Sequence, residues 1–438
     1  MLSVIGILVG LVVMIFLAYK GISLFLVTII AGAIVALFDG LNPMDVLTTN
    51  YMVGFTNFMK NYFILFLFAS MFGSVTGASG AARGISNGIL KLIKNVPAEK
   101  KKFWSVMVMT LINLVLGYGG VNGFVIIYTT VAISKELYKE VDLPWHLSFL
   151  TTIASACWNQ GFLPGTPSVQ NMIPTGYLGT PYTSGMAIGL ICSVFCGILW
   201  FFYVMYCLKK ANKTGEGFFP SGESIDKASF ELPEHTPSVI KSLIPSIVLL
   251  VLMNGIKLSI YYSMLIAILV AIIMFYKELG GGKKVLGVLT QGALNATSAV
   301  TSTCSCTGFG GVVSAVSGYG VILGALTNLP GPPIFQYFLA VSVAAGATGS
   351  GSGGLSIALD ALGQRFVDMG INPQILHRIG AMACCSLDTL PHNGAIVNTL
   401  MVSHLTHKQG YGHIFVQSVV ITTLGTLLGC ILATMGLV

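Results

Sequence analysis

The chain contains 438 residues with a formal net charge of +7; 8% of the residues are charged and 54% are hydrophobic. An average soluble domain has about 25% charged residues, so this composition excludes a soluble globular fold. The basic residues lie in short clusters between apolar runs, which is the pattern of cytoplasmic loops in membrane proteins. A nucleic-acid surface needs interleaved aromatic residues or a soluble domain to carry its charge, so we expect no nucleic-acid partner.

The first two apolar segments, residues 1–19 and 22–38, are predicted to cross a lipid bilayer. No positive charge precedes the first segment, which therefore indicates a span rather than a cleaved signal peptide. Further along, no Asp, Glu, Lys or Arg occurs from Leu143 to Leu208 or from Val285 to Leu359. One span needs about 20 residues, so each stretch must cross more than once. We predict an all-α integral membrane protein with many spans, located in the inner (plasma) membrane.

Residues 209–238 are rich in charge, Gly and Ser and are predicted to form a cytoplasmic linker. The linker separates a first transmembrane repeat, residues 1–208, from a second, residues 239–438. Each repeat opens with two apolar segments and continues with the same order of features. These are a run of small residues (SVTGASGAARG 74–84; TSTCSCTGFGG 301–311), a Gly-rich break (GYGGVNG 117–123; ATGSGSGG 347–354) and a segment interrupted by Leu-Pro (NQGFLPGTPSVQN 159–171; SLDTLPHNGAIVN 386–398).

The distribution of charge predicts how the two repeats are oriented. Lys20 and the cluster from Lys91 to Lys102 indicate cytoplasmic loops, whereas Asp39 and Asp45 indicate an external loop. Both termini are then outside and each repeat has an odd number of crossings. We therefore expect two inverted repeats with re-entrant hairpins and broken helices.

The Gly-rich and Leu-Pro segments are the candidate substrate site. A helix that restarts inside a membrane presents unpaired N–H groups and the positive end of its dipole, and both attract a carboxylate. The alternative is that the small residues only allow close helix packing. The predicted substrate-binding residues are Gly119, Gly120, Asn122, Gly123, Asn159, Thr166, Ser168 and Asn171 in the first repeat, and Ser302, Thr303, Ser305, Thr348, Ser350 and Ser352 in the second.

The last Leu-Pro segment adds a candidate for proton coupling. Asp388 is the only formally charged residue between Arg378 and Lys408, and an acidic residue within a span is usually functional. Burial disfavours the charged form of a carboxyl, and His392 is a natural proton carrier, so Asp388 and His392 are predicted to carry the coupled proton. His392 and Asn393 join the substrate-binding candidates. The alternative for Asp388 is a helix N-cap.

Other classes of function receive less support from the residues. Most of the nine cysteines lie in apolar runs, and the pairs Cys304/Cys306 and Cys384/Cys385 match no zinc spacing, so we predict no metal and no cofactor. No nucleophile–base set is evident, and we expect no enzyme. A passive anion channel would show rings of charge or a repeated pore loop. Arg83 is a candidate partner for the substrate carboxylate, or else a side chain that reaches the cytoplasmic interface.

The chain resembles the gluconate permease (GntP) family in three motifs: FLPGTPSVQNMIPTGYLGT (162–180), AAGATGSGSGG (344–354) and LDTLPHNGAIVNTL (387–400). The resemblance spans essentially the whole chain. It implies a proton-coupled symporter for gluconate-like or other short hydroxy acids within the ion transporter superfamily, whose members are typically built from inverted repeats and are often dimeric. A homodimer is therefore expected.

One departure from the family pattern bears on the substrate. Sugar-acid members tend to carry His-Val-Asn-Asp in the last motif, whereas this chain has Pro391, His392, Asn393 and Gly394. That form is more similar to the branch for hydroxybutyrate-type monocarboxylates. The leading hypothesis is import of a short hydroxycarboxylate coupled to protons. Sodium coupling is the nearest alternative, since carbonyls at the two breaks would also suit Na⁺.

Overall fold

The computed structural model describes residues 2–20, 22–118, 121, 123–166, 168–228, 235–326 and 330–438. These residues contain helices and no strand, which confirms the all-α prediction. The α-helices are α1 Leu2–Tyr19, α2 Leu24–Phe38, α3 Pro43–Val46, α4 Met52–Ala78, α5 Ala81–Leu92, α6 Ala98–Tyr118, α7 Gly123–Glu140, α8 Val169–Leu178, α9 Met186–Thr214, α10 Glu223–Lys227, α11 Val239–Leu250, α12 Ile260–Met274, α13 Gly282–Ala315, α14 Ser317–Leu326, α15 Pro333–Thr348, α16 Gly351–Asp368, α17 Pro373–Leu387, α18 Gly394–Val402, α19 His407–Phe415 and α20 Thr422–Thr434. A 3₁₀ segment, Trp145–Thr151, and π-helical segments, Leu47–Tyr51, Ala154–Phe162, Val251–Gly255 and Val416–Ile421, extend or join them.

Several helices have the length and composition of membrane spans. Within the described part of the chain, Pro43–Ala78, Met186–Thr214 and His407–Thr434 are each long and apolar enough to cross a bilayer alone, and α13 forms a further candidate with the helix after it, at a bend of 74°. Shorter apolar helices accompany them, among them Leu24–Phe38 and Ile260–Met274. Large apolar side chains such as Val194 and Phe202 of α9 are exposed on the outside, as a lipid-facing surface requires. The protein is a multi-pass membrane protein.

Helices α4 and α13 pack with their backbones in close contact, and glycines make this possible. A Cβ atom added to Gly54 would lie 2.4 Å from the carbonyl oxygen of Thr307, and one added to Gly311 would lie 2.5 Å from that of Asn50. Near the other end of the pair, a Cβ on Gly292 would approach the Cα of Met71 to 2.9 Å. Small residues that let helices approach closely are the usual device in membranes, where burial of apolar surface does not drive helix association.

We expect Gly54→Ala to separate α4 from α13 and to lower the melting temperature of the purified protein. Overpacking of this kind typically costs about 1–3 kcal/mol. The matched control is Gly287→Ala, on α13, where an added Cβ meets nothing within 4 Å and where alanine favours the helix. Equal melting temperatures for Gly54→Ala and the wild type would show that the two helices do not need this contact.

The two halves repeat the same order of helices and breaks. In the first half, α6 and α7 flank the first Gly-rich break, and in the second half α15 and α16 flank the other. The segment Ala154–Phe162 is followed by a break and then α8, just as α17 is followed by a break and then α18. The small-residue runs differ. Residues 74–84 contain the end of α4 at Ala78 and the start of α5 after Gly80, which has a φ of 73°, whereas residues 301–311 lie inside α13. The inverted orientation and the domain limits stay predictions.

The linker packs on the end of α7 and on the segment that follows it. Asp226 of α10 accepts from Lys139 at 2.7 Å and lies 3.4 Å from Lys135. Burial by itself raises the pKa of Asp226, but the hydrogen bonds and charges of the two lysines outweigh it and lower the pKa. His146 lies 2.9 Å from Glu216 through Nε2. We call this charged side of the molecule the linker face.

Candidate functional site

Four helices begin at the wall of one cavity of about 500 Å³. The lining includes the first residues of each helix: Gly123 and Phe124 of α7, Val169 and Gln170 of α8, Gly351 and Ser352 of α16, and Gly394, Ala395 and Ile396 of α18. The first N–H groups of a helix have no acceptor within the helix, and its dipole places partial positive charge there. The cavity therefore gathers four positive helix ends, two from each half.

Two of these helices, α7 and α8, leave the cavity toward opposite ends of the molecule. Helix α7 runs to the linker face, where Lys135 and Lys139 meet the linker. Helix α9 has 29 residues and, at 1.5 Å per residue, is about 43 Å long; it ends beside the linker, so its first residue lies at the opposite end of the molecule. Helix α8 runs toward that opposite end, because only a short segment separates its last residue, Leu178, from Gly185, which directly precedes α9. The cavity thus lies between the two faces.

Side chains at three of these helix starts are caps that the chain itself provides. Ser168 Oγ accepts from the N–H of Asn171 at 3.2 Å and donates to the carbonyl oxygen of Gln160. Ser350 Oγ accepts from the N–H of Gly353 at 3.1 Å, and Asn393 Oδ1 accepts from those of Ala395 and Ile396 at 2.7 and 3.0 Å. Capping by Ser and Asn stabilises helix starts by about 1 kcal/mol. On α16, the N–H groups of Gly351 and Ser352 are left for another acceptor.

Two hydrogen bonds tie the second Leu-Pro break to the second Gly-rich break. Asn393 Nδ2 donates to the carbonyl oxygen of Gly349 at 2.9 Å, and His392 Nε2 lies 3.0 Å from that of Gly346. Gly349 has a φ of 61°, which favours glycine, and a Cβ there would lie 2.6 Å from the His392 ring. The two breaks are therefore bonded directly to each other, next to the starts of α16 and α18.

Asp388 lies directly after the last residue of α17 and faces the cavity next to the start of α16. Its side chain is almost fully buried at 3% exposure, and Oδ1 has no hydrogen-bond partner among the described residues. A Cβ added to Gly351 would be 2.7 Å from Asp388 Oδ2, so this oxygen is close to the first residue of α16. A buried carboxylate without a charged partner is costly; the backbone N–H groups of Asp388 and Thr389 lie beside this one, and the positive end of α16 is adjacent to it.

Other oxygen atoms that line the cavity also lack partners within the described chain. The amide oxygens of Asn113, Asn159 and Gln160 are buried without a donor, as are the hydroxyls of Ser148 and Ser403. Asn159 is held in place by its Nδ2, which donates to the carbonyl oxygen of Asn113 at 3.0 Å. Buried acceptors normally have a donor, so these atoms have lone pairs left to accept a hydrogen bond from a bound molecule or to coordinate a cation.

The structure brings together eight of the 17 residues that the sequence predicts to bind substrate or carry the proton. Those that line the cavity are Gly123, Asn159, Ser168, Thr303, Ser350, Ser352, Asp388 and Asn393. Six others do not line it: Thr166, Asn171, Ser302, Ser305, Thr348 and His392. Gly119, Gly120 and Asn122 lie outside the described residues.

The residues outside the lining have structural bonds instead. Ser302 and Ser305 donate to carbonyl oxygens one turn earlier in α13, at 2.9 and 3.1 Å, and Thr348 does the same within α15 at 2.8 Å. Thr166 Oγ1 accepts from Asn171 Nδ2 at 2.7 Å. Arg83 is exposed at the start of α5, which fits a side chain at the interface better than one at the cavity.

Arg378 is a central residue that the sequence reasoning did not select. It is completely buried and donates to the carbonyl oxygens of Ser184, Gly161 and Tyr182 at 3.0, 2.6 and 3.3 Å, and to Asn171 Oδ1 at 2.7 Å. Its guanidinium therefore joins α17 to the first Leu-Pro break. The signal in the sequence is the rule that ionisable residues inside spans are usually functional, which applies to Arg378 as it does to Asp388.

Comparisons with known proteins find similarity to membrane transporters. The family model described as GntP family permease matches residues 2–361. The "Uncharacterized transporter YxjC" of Bacillus subtilis (strain 168) is 28% identical over 467 residues, which cover 96% of this chain and 97% of that protein. The YdaH transporter of Alcanivorax borkumensis, whose crystal structure is described as having an unusual topology, matches 90% of this chain and 89% of its own with a TM-score of 0.36 and 13% identity.

These matches differ in what they establish. The likeness to the solved structure is too weak to carry an argument. The relative is a transporter of similar length without a stated substrate, so the hydroxybutyrate branch stays a prediction. The family resemblance seen in the three motifs is confirmed, because the family model covers most of the chain. The chain belongs to the GntP family of permeases and is a membrane transporter.

Proposed function

We propose that the protein imports a short hydroxycarboxylate together with a proton. The observation that carries the proposal is the convergence of four helix N-termini on one cavity. Helix N-termini bind anions through free N–H groups and the dipole. The lining described above contains no Lys or Arg, so a carboxylate bound here is held by neutral groups and is released more easily than from a salt bridge.

The unpartnered oxygens favour a substrate with hydroxyl groups. Asn113, Asn159 and Gln160 present acceptors that a bare alkyl acid would leave unsatisfied, and an unsatisfied buried polar group costs about 1–3 kcal/mol. A hydroxy acid supplies both parts: a carboxylate for the helix ends and O–H donors for the amide oxygens. A cavity of about 500 Å³ accommodates a small molecule of either the hydroxybutyrate or the gluconate type.

Asp388 is the proposed proton carrier. It is a buried carboxyl that lines the cavity and has an unpartnered Oδ1. His392 is the second candidate, although its ring points at the Gly346 carbonyl oxygen rather than into the cavity lining. We further propose a location in the inner membrane and a homodimeric assembly, both of which rest on the family resemblance.

Sodium coupling is the alternative that a specific observation favours. Asp388 Oδ1 and the amide oxygens of Asn113, Asn159 and Gln160 are oxygen atoms without donors, and hard cations take oxygen ligands of these types. Coordination to Na⁺ would satisfy an oxygen atom of this kind as well as a substrate hydroxyl does. The two accounts differ in what drives uptake.

The test is uptake of labelled hydroxy acids into proteoliposomes under separate gradients. We expect an inward proton gradient alone, without sodium, to drive accumulation of either hydroxybutyrate or gluconate. A sodium gradient at equal pH should cause no accumulation of either acid. Accumulation driven by the sodium gradient alone would show that Na⁺, and not the proton, is the coupled ion. Equal entry of the anion with no gradient dependence would indicate a passive channel.

A further inference from the structure

The start of α16 is adjacent to two carboxylates, one from the protein and one from the proposed substrate. The N–H groups of Gly351 and Ser352 are the positive end of an 18-residue helix and lie at the cavity wall. Asp388 Oδ2 is so close to Gly351 that a Cβ there would lie only 2.7 Å from it. Ser350, the cap of α16, takes the N–H of Gly353 and leaves the first two amides free.

We propose that the Asp388 carboxylate and the substrate carboxylate compete for this helix end, so that the transporter binds its anion only after Asp388 has taken up a proton. The inference rests on the proposed function and adds the order and the physical cause of coupling. When Asp388 is ionised, its carboxylate interacts with the positive end of α16 and repels the carboxylate of the substrate. When it is protonated, the helix end is available and no like charge remains.

The side chains around Asp388 are neutral or already bonded, so the charge at the start of α16 depends mainly on the protonation of Asp388. Cys384 and Cys385 lie one turn earlier on α17, and Cys157 of the segment Ala154–Phe162 adjoins Cys385; thiols are neutral below about pH 8.5. His392, across the break, is bonded to the Gly346 carbonyl oxygen. Arg378, farther back on α17, is fully engaged with carbonyl oxygens and Asn171. No charged side chain contacts Asp388 within the described residues, and the backbone N–H groups of Asp388 and Thr389 are neutral donors next to its carboxyl.

The competition predicts a definite dependence of affinity on pH. If only the protonated transporter binds the anion, Kd rises tenfold for each pH unit above the titration of Asp388 and is constant below it. The substrate does not contribute, because a hydroxy-acid carboxyl titrates near pH ~4 and stays ionised at higher pH. Binding in the sloping range must also take up close to one proton per anion from solution.

The experiment measures hydroxybutyrate and gluconate binding to the purified, full-length protein by calorimetry from pH 5.5 to 8.5, in buffers of different ionisation enthalpy. We expect a tenfold rise in Kd per pH unit in the upper range and uptake of about one proton. Asp388→Asn should bind with a Kd that does not vary with pH and equals the low-pH value of the wild type. Asp360→Asn, an exposed acid on the same helix α16, should keep the wild-type dependence.

Three results would overturn the competition. They are a constant wild-type Kd with no proton uptake, a pH dependence that persists in Asp388→Asn, and a folded Asp388→Asn that does not bind at any pH. The proton count on the wild type decides the question even if the variant does not fold. A constant Kd combined with intact proton-driven uptake would overturn the competition and leave the proposed function standing, whereas binding of neither acid at any pH would remove both.

Discussion

Asp388→Asn is expected to abolish accumulation of the substrate against a gradient while allowing exchange of labelled for unlabelled substrate across the membrane. For one proton per monovalent anion, a pH difference of one unit, about 1.4 kcal/mol, supports an accumulation ratio of about tenfold. The asparagine keeps the shape of the side chain but carries no proton, so the ratio should fall to one. Uptake and exchange into the same proteoliposomes measure both quantities.

The control separates coupling from folding. Asp360→Asn removes an exposed acid from α16 and should accumulate substrate as the wild type does. If Asp388 were only a cap, Asp388→Ser would be tolerated, since Ser caps about as well as Asp. Proton-driven accumulation that survives in Asp388→Asn would contradict the coupling role and make His392 the next residue to test.

Arg378→Gln is expected to cause the largest loss of stability of any single substitution considered for this protein. The side chain donates to four buried acceptors, the carbonyl oxygens of Ser184, Gly161 and Tyr182 and Asn171 Oδ1. A buried acceptor left unpaired costs about 1–3 kcal/mol, and glutamine replaces at most part of these bonds. We expect a strongly lowered melting temperature in detergent and low yield of folded protein.

A double-mutant cycle tests whether Arg378 acts through Asn171. Asn171→Ala removes one acceptor and should be milder than Arg378→Gln, and the combined variant should lose less than the sum of the two. Arg365→Gln, at an exposed position on α16, is the control for loss of an arginine. Additive losses, or an unchanged melting temperature in Arg378→Gln, would show that this network does not join α17 to the first break.

The broad architecture followed from the sequence because it depends on composition and local pattern. Long stretches without charge, such as Leu143–Leu208, require membrane spans whatever the detailed packing is. Glycine and Leu-Pro motifs interrupt helices by local geometry, so the breaks before α16 and α18 appear where the motifs predicted them. Ser168, Ser350 and Asn393 were predicted to bind substrate at these breaks, and the structure shows each of them as the N-cap of the helix that follows.

The choice among similar residues was decided only by the tertiary structure. Ser302, Ser305 and Thr348 have the same chemistry as Ser350, but they bond to their own helices and do not line the cavity. Sequence spacing does not show which face of a long helix meets a partner, so Thr303 and Ser302 were not distinguishable before the packing of α13 was known. The unpartnered amide oxygens of Asn113 and Gln160 were not predicted for the same reason.

By itself, the sequence determined that this protein is a helical membrane protein whose helices are interrupted at Gly-rich and Leu-Pro motifs, because hydrophobicity and helix-breaking residues act over a few neighbouring positions. Only the tertiary structure decided that four of the resulting helix starts meet at one cavity and that Asp388 lies beside Gly351, 37 positions earlier in the chain. It also showed that Arg378 joins the two halves. Contacts of this kind depend on how distant segments pack, and no local pattern of residues encodes them.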